Sequence, residues 1–265
     1  MSGNELAGSV VGIIGGHGWM GRALGLALLN QGLVSPSQLV VSSRSGGDAY
    51  DAWPEVRCVH DNHDLLALAD LVVLSVRPDQ LPALELPVGN KPVISLLAMV
   101  SSAELARKTG SGRIIRAMPN AAAQIGEAYM PWHASAATSR ADRAAAQQLL
   151  SSCGKARELA SEQDLDYMTA LTGAGPAFPA LLASAMLAHA KEMGMTDAIA
   201  FEAVMQTLVG GSRLLEHLNT DPEDMVNRLI EYRGTTAQGL QCMIDKGFQS
   251  TVLAGLDAAY QAAKP

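Results

Sequence analysis

Aromatic side chains are scarce in this chain, at 4% of 265 residues, and charged ones are few, at 17%. Disordered chains need high charge and little apolar content, so 48% hydrophobic residues exclude that class and supply a substantial core. Basic residues are outnumbered, 19 Lys and Arg against 26 Asp and Glu, for a net charge of −7. A nucleic-acid surface needs a basic stripe, so no nucleic-acid partner is expected. Cysteine is rare too: Cys58, Cys153 and Cys242 are odd in number and far apart. That excludes a disulfide framework and points to free thiols in a reduced, cytoplasmic setting. The stretch Met1–Gly8 lacks the basic and apolar regions of a secretory signal. Residues 168–190 are apolar for nearly a membrane span, but Gly173, Gly175 and Pro176 mark a helix entrance that leaves too short a helix to cross. A buried helix of a core or subunit interface is expected there, and no membrane partner.

What the chain does have is "VVGIIGGHGWMGRALGLALLNQG". Val10, Val11, Ile13 and Ile14 form a buried-strand run, and an apolar helical pattern runs from near Met20 to Gly32. Between them stands Gly16-x-Gly18-x-x-Gly21, the dinucleotide fingerprint in its required setting of strand before and helix after. Glycines let the turn close tightly, so that a pyrophosphate rests on free N–H groups at the helix start.

From residue 9 to about 160, strand and helix signals alternate. "QLVVSS", "LVVLSV" (71–76), "VISLL" (93–97) and "RIIRAM" (113–118) read as strands. Helices are expected after Ser101-x-x-Glu104 and from about Thr138 to Gly154. Apolar strands separated by helices imply a parallel sheet covered on both faces. After Asp164 the strand signal ends and helices remain. The fold class is therefore α/β: a Rossmann-type parallel sheet over residues 1–160, then an all-α dimerisation and substrate domain over 161–265. The apolar runs of that second domain exceed what its own helices can bury, so a homodimer is expected.

NAD-binding domains place Asp or Glu at the end of the second strand for the ribose 2′-hydroxyl. Here that strand runs into Ser42, Ser43, Arg44 and Ser45, with no carboxylate before Asp48. A guanidinium with hydroxyls suits the 2′-phosphate of NADPH, with NADH as the alternative. "CVHDNHD" holds His60, Asp61, His63 and Asp64. It reads as a helix start with Asp64 as its cap, and no metal site is expected. Lys191 lacks the asparagine one turn on that a 3-hydroxyacid dehydrogenase would place there.

Five further stretches share one pattern. "ADLVVLSVRPDQ" is similar to "aDvviLaVKPq", "VISLLAMV" to "viSiaAGv", and "RAMPNAAAQIGEA" to "RvMPNtpa.vg.g". "ALTGAGPAF" is similar to "alsGSGPAy", and "RGTTAQGL" to "GGTT..al". In this order they resemble the pyrroline-5-carboxylate reductase family over nearly the whole chain. The resemblance implies NADPH-dependent reduction of 1-pyrroline-5-carboxylate to L-proline. It implies cofactor contacts from Gly16, His17, Gly18, Trp19, Met20 and Gly21, from Ser43, Arg44 and Asn62, and from Ser75, Val76, Arg77, Pro78 and Ala98. It places Asn120 near the substrate and nicotinamide, and gives the substrate carboxylate to Gly234 and Thr235. It also implies Thr236 as the catalytic hydroxyl near the imine nitrogen, and an ordinary helix cap is the other use of that threonine. Homodimers through the C-terminal helices, assembled in some members into larger rings, are implied as well. The chain departs from the pattern at "EYRGTT", where the family has "SPGGTT", and its phosphate loop is closer to those of prephenate dehydrogenase and deazaflavin-dependent NADP reductase. Another imine acid, a prephenate-like substrate and a non-catalytic NADP-binding sensor dimer stay open as alternatives.

Overall fold

The run Val11–Ile14 is the central strand β1 of the computed structural model, which describes residues 3–44 and 46–264. Ser45 lies outside the described residues. Parallel to β1 on either side run β2 (Leu39–Ser42) and β4 (Leu71–Leu74), followed outward by β3 (Arg57–Val59) on one flank and β5 (Val93–Ser95) and β6 (Ile114–Ala117) on the other. Two more strands, β7 (Ala128–Ala134) and β8 (Gly154–Glu158), complete the order β3-β2-β1-β4-β5-β6-β7-β8. The sheet is parallel as expected except at one pairing, where β7 runs antiparallel to β6. The link between them holds only the 3-10 turn Ala121–Ile125, too short for the crossover that parallel strands need.

Helices cover both faces of this sheet. On one, α1 (Trp19–Asn30) and α4 (Arg140–Ser151) bury Leu24, Leu28 and Leu149 against Val41, Val73 and Trp132. On the other, α2 (Asn62–Leu68) and α3 (Ser102–Thr109) bury Leu65 and Leu105 with Val40, Val72 and Leu74. Truncating one such leucine to alanine costs about 2–5 kcal/mol. Ser101 caps α3 by accepting from the Glu104 N–H (3.1 Å). The cap of α2 is Asp61, which accepts from the His63 N–H (2.8 Å), and not Asp64, which sits in the first turn. Being nearer the strand, Asp61 has the extended backbone that a cap requires.

The chain divides into two compact units, residues 1–174 with 260–265, and residues 175–259. The first keeps α5 (Glu162–Met168) and the π-turn Thr169–Gly173, beyond the boundary expected near residue 160. Leu165 is buried, and Arg116 on β6, 2% exposed, bonds Glu162 (2.7 Å) and Asp166 (3.4 Å). Tyr260 belongs to this unit and stands edge-on to Tyr167, centroids 5.6 Å apart. The second unit holds α6 (Ala177–Glu192), α7 (Asp197–Leu218), α8 (Pro222–Glu231), α9 (Thr235–Asp245) and most of α10 (Phe248–Ala263). Residues 162–192 reach the length and mean hydropathy (1.4) of a membrane-spanning helix, but the π-turn interrupts the regular α-helical bonding inside that stretch.

Candidate active site

Sheets of this topology open a crevice at the carboxyl ends of the strands where the strand order reverses, here between β1 and β4. A cleft of about 940 Å³ lies there. Gly15 in the turn after β1 has φ +84°, and a Cβ on it would sit 2.4 Å from the Ser75 carbonyl oxygen, so only glycine lets the two loops meet. The Gly15 and Gly16 N–H groups donate to the Ser42 carbonyl (2.9 and 3.1 Å), which ties the turn to the end of β2. Gly18 is the cap residue of α1. No side chain accepts from the first turn, and that turn carries no acid. Its N–H groups, with roughly half a positive charge from the helix dipole, stay available to an anion.

Beyond β2, Ser42 Oγ donates to Asn62 Oδ1 (2.7 Å), while Ser43 Oγ is buried without a hydrogen-bond partner. A buried hydroxyl left unpaired costs about 1–3 kcal/mol. Next to it, the exposed Arg44 makes no ion pair among the described residues. The acid lining the cleft, Asp79, is held by Arg77 at 2.8 Å. An unpaired cation, an unsatisfied hydroxyl and an open helix start form a donor set that fits a phosphorylated dinucleotide.

Gly18, Trp19, Met20, Ser43, Arg44, Asn62, Ser75, Val76 and Arg77 line this cleft together. Gly16 and Gly21 shape the turn from behind, since a Cβ on them would lie 2.6 Å from Val41 and 2.4 Å from the Gly15 carbonyl. His17 points to the Gly47 carbonyl (3.1 Å), Pro78 opens the 3-10 turn Pro78–Ala83, and Ala98 is half-buried past β5. His60 also lines the cleft, its Nδ1 3.2 Å from the Ser43 carbonyl. Sequence reasoning weighed it only as a metal ligand. The signal that locates it is its place in the turn between β3 and α2, at a strand end. Among the described residues no three His, Cys, Asp or Glu side chains gather as a metal site.

Asn120 is engaged on both sides of its amide. Oδ1 accepts from the Ala122 N–H (3.0 Å) and Nδ2 donates to the Thr172 carbonyl (2.9 Å), tying the turn after β6 to the π-turn. In the helical unit, Gly234 is the cap residue of α9, and again no side chain accepts from the first turn. Thr235 and Thr236 are exposed inside that turn, so Thr236 does not cap the helix. Arg233 just before it is exposed with φ +57°, and Tyr232 is 86% exposed. Met99 has φ +59°. Both Arg233 and Met99 stand where the related pattern has glycine, and the backbone keeps the left-handed conformation that glycine adopts freely. Lys191 pairs with Asp197 (3.1 Å).

A family model described as "Pyrroline-5-carboxylate reductase dimerisation" matches residues 162–265, and one described as "NADP oxidoreductase coenzyme F420-dependent" matches residues 10–99. The chain is 32% identical over 209 residues to the pyrroline-5-carboxylate reductase of Pseudomonas aeruginosa, a match covering 77% of each. With the enzyme of that name from Synechocystis sp. the identity is 29%, over 95% of this chain and 96% of the other. The solved structure of a pyrroline-5-carboxylate reductase from Coxiella burnetii aligns with a TM-score of 0.86 at 26% identity, over 96% of this chain and 97% of that one.

Proposed function

The chain belongs to the pyrroline-5-carboxylate reductase family, and from that premise we propose how its own residues serve the reaction. The enzyme reduces the ring imine of 1-pyrroline-5-carboxylate to L-proline, with NADPH as reductant. The observation that carries the cofactor reading is the buried, unpartnered Ser43 hydroxyl beside the unpaired Arg44, at the open start of α1. When bound, NADPH supplies a hydride from its nicotinamide ring. The N–H groups of the first turn of α1 hold the pyrophosphate. Arg44 grips the 2′-phosphate with its planar fork, and Ser43 gains the hydrogen bond it lacks.

Substrate handling falls to the helical unit. The first N–H groups of α9, uncapped by any side chain, hold the substrate carboxylate, with Gly234 giving it close access. The Thr236 hydroxyl takes a hydrogen bond from the imine nitrogen and orients the ring. A protonated imine is already electrophilic, so orientation and exclusion of water supply most of the rate, and no strong protein acid is required. Asn120 serves by bracing the two turns it joins. The helical unit pairs with a second copy in a homodimer that works in the cytoplasm. Supporting this are the dimerisation match and exposed apolar side chains such as Leu181 (73%), Phe201 and Leu253.

The test is the rate of NADPH oxidation with 1-pyrroline-5-carboxylate, beside the six-membered imine carboxylate and a no-substrate control. Fast turnover of the five-membered ring is the expected result. Tight NADPH binding without turnover of that ring would overturn the substrate and keep the cofactor.

A further inference from the structure

The segment that carries Arg44 is fastened, a few residues further on, to the back of the phosphate loop. Tyr50 is 3% exposed, and its hydroxyl donates to the Gly16 carbonyl at 2.9 Å, with the Gly21 carbonyl 3.5 Å away. Burial, more than any neighbouring charge, raises the phenol above its ordinary pKa, so it stays a donor. Gly25 makes the room: a Cβ there would stand 2.3 Å from the Tyr50 oxygen. His17 makes the second fastening. Its ring is edge-on to Tyr50, centroids 5.3 Å apart at 88°, and its Nε2 lies 3.1 Å from the Gly47 carbonyl. A carbonyl only accepts, so Nε2 carries the proton, while Nδ1 is buried without a hydrogen-bond partner. A Cβ on Gly47 would lie 2.7 Å from the His17 ring, so the two loops meet here with no space between them.

Neither Tyr50 nor His17 is among the side chains lining the cleft, and both act on the loops that do. We propose that Tyr50 and His17 are positioning residues, a clasp that presets the Arg44 segment against the phosphate loop and so selects the 2′-phosphorylated cofactor. The proposal rests on reading the cleft as an NADPH site. With the chain fastened at Gly47 and Tyr50, Arg44 has less conformational freedom to lose when a 2′-phosphate arrives. NADH, which carries a hydroxyl there, draws no benefit from it. Both cofactors share the pyrophosphate contacts, so damage to the phosphate loop alone weakens both alike.

Direct titration of NADPH and NADH into the full-length enzyme tests this without any imine substrate. Tyr50→Phe keeps the ring and removes only the donor. The expected result is a Kd for NADPH raised about fivefold, near the factor of one ordinary hydrogen bond, with less than a twofold change for NADH. In an Arg44→Ala background the same change should move NADPH by less than twofold, because the clasp acts through Arg44. His17→Phe, which keeps an aromatic ring but loses the Gly47 bond, should shift the cofactor ratio in the same direction. Equal weakening of both cofactors, or the same factor with and without Arg44, would overturn the clasp and leave Tyr50 a packing residue. Failure of the unmodified enzyme to bind NADPH would instead sink the reading of the cleft itself.

Discussion

Arg116 Nη1 and Glu162 Oε1 are 2.7 Å apart, a link between the sixth strand and the head of α5 with the guanidinium all but sealed from water. Glu162 also accepts from the Ser102 N–H at 2.7 Å, so one carboxylate secures the starts of two helices. Burial alone would raise the pKa of Glu162, but the bonds from Ser102 and Arg116 outweigh it and hold the group below its usual value.

Arg116→Ala should therefore destabilise the first unit. Glu162 is one-third exposed, so the loss belongs at or below the lower end of the range for breaking a buried pair, about 2–3 kcal/mol. Urea denaturation checks it. A shift under 0.5 kcal/mol, the range of an ordinary surface change, would mean the pair is dispensable.

Acid should unfold the protein through a second pair. Asp142, buried at the start of α4, binds Arg113 in a two-pronged pair and accepts from Ser139; these bonds overcome the burial penalty and lower its pKa. A carboxylate whose folded pKa lies below its unfolded value of about 4 stabilises above that pH, and the benefit disappears as pH falls through the folded value. The melting temperature should fall as pH drops below about 4. Asp142→Asn should be less stable at neutral pH and show a shallower acid slope. Parallel curves for the two proteins would remove Asp142 from the acid response.

Thr236→Ala tests the proposed reaction geometry. Imine reduction should fall by roughly ten- to a hundredfold while direct NADPH binding is kept, the lower range for a group positioned at a reacting nitrogen. Turnover equal to that of the unmodified enzyme would exclude the hydroxyl from the chemistry.

Arg233→Gly restores the residue that a left-handed backbone accepts without strain. An L-residue there costs roughly 1–2 kcal/mol, part of which glycine returns as entropy lost on folding, so a net gain of about 0.5–1 kcal/mol is expected. The gain is read from thermal unfolding. A loss of stability would show that the Arg233 side chain holds this turn in some other way.

The phosphate turn was legible because everything that defines it is local: a strand run, three glycines and a helix within some twenty residues. β7, "AYMPWHA", escaped because a proline interrupts a run that does not alternate. β3 and β8 are short or charged strands with mostly exposed residues, and they carry no apolar stripe. Tyr50 and His60 escaped for a different reason. Each reaches its partner across many residues of intervening chain, Tyr50 to Gly16 and His60 to Ser43, and no local pattern encodes such a return. Arg233 and Met99 show the reverse case, where the motif had changed and the backbone conformation behind it had not.

Within the helical unit, the buried apolar side chains are Ala183, Ala200, Val204 and Ala237, all small. A unit with so little interior of its own gains its stability by mass action if a second copy completes it, as proposed. Its melting temperature then becomes a function of protein concentration, rising on each tenfold increase, whereas the sheet unit, with a core on each face, has no such dependence. Dilution would be a denaturant for one half of the chain and not for the other.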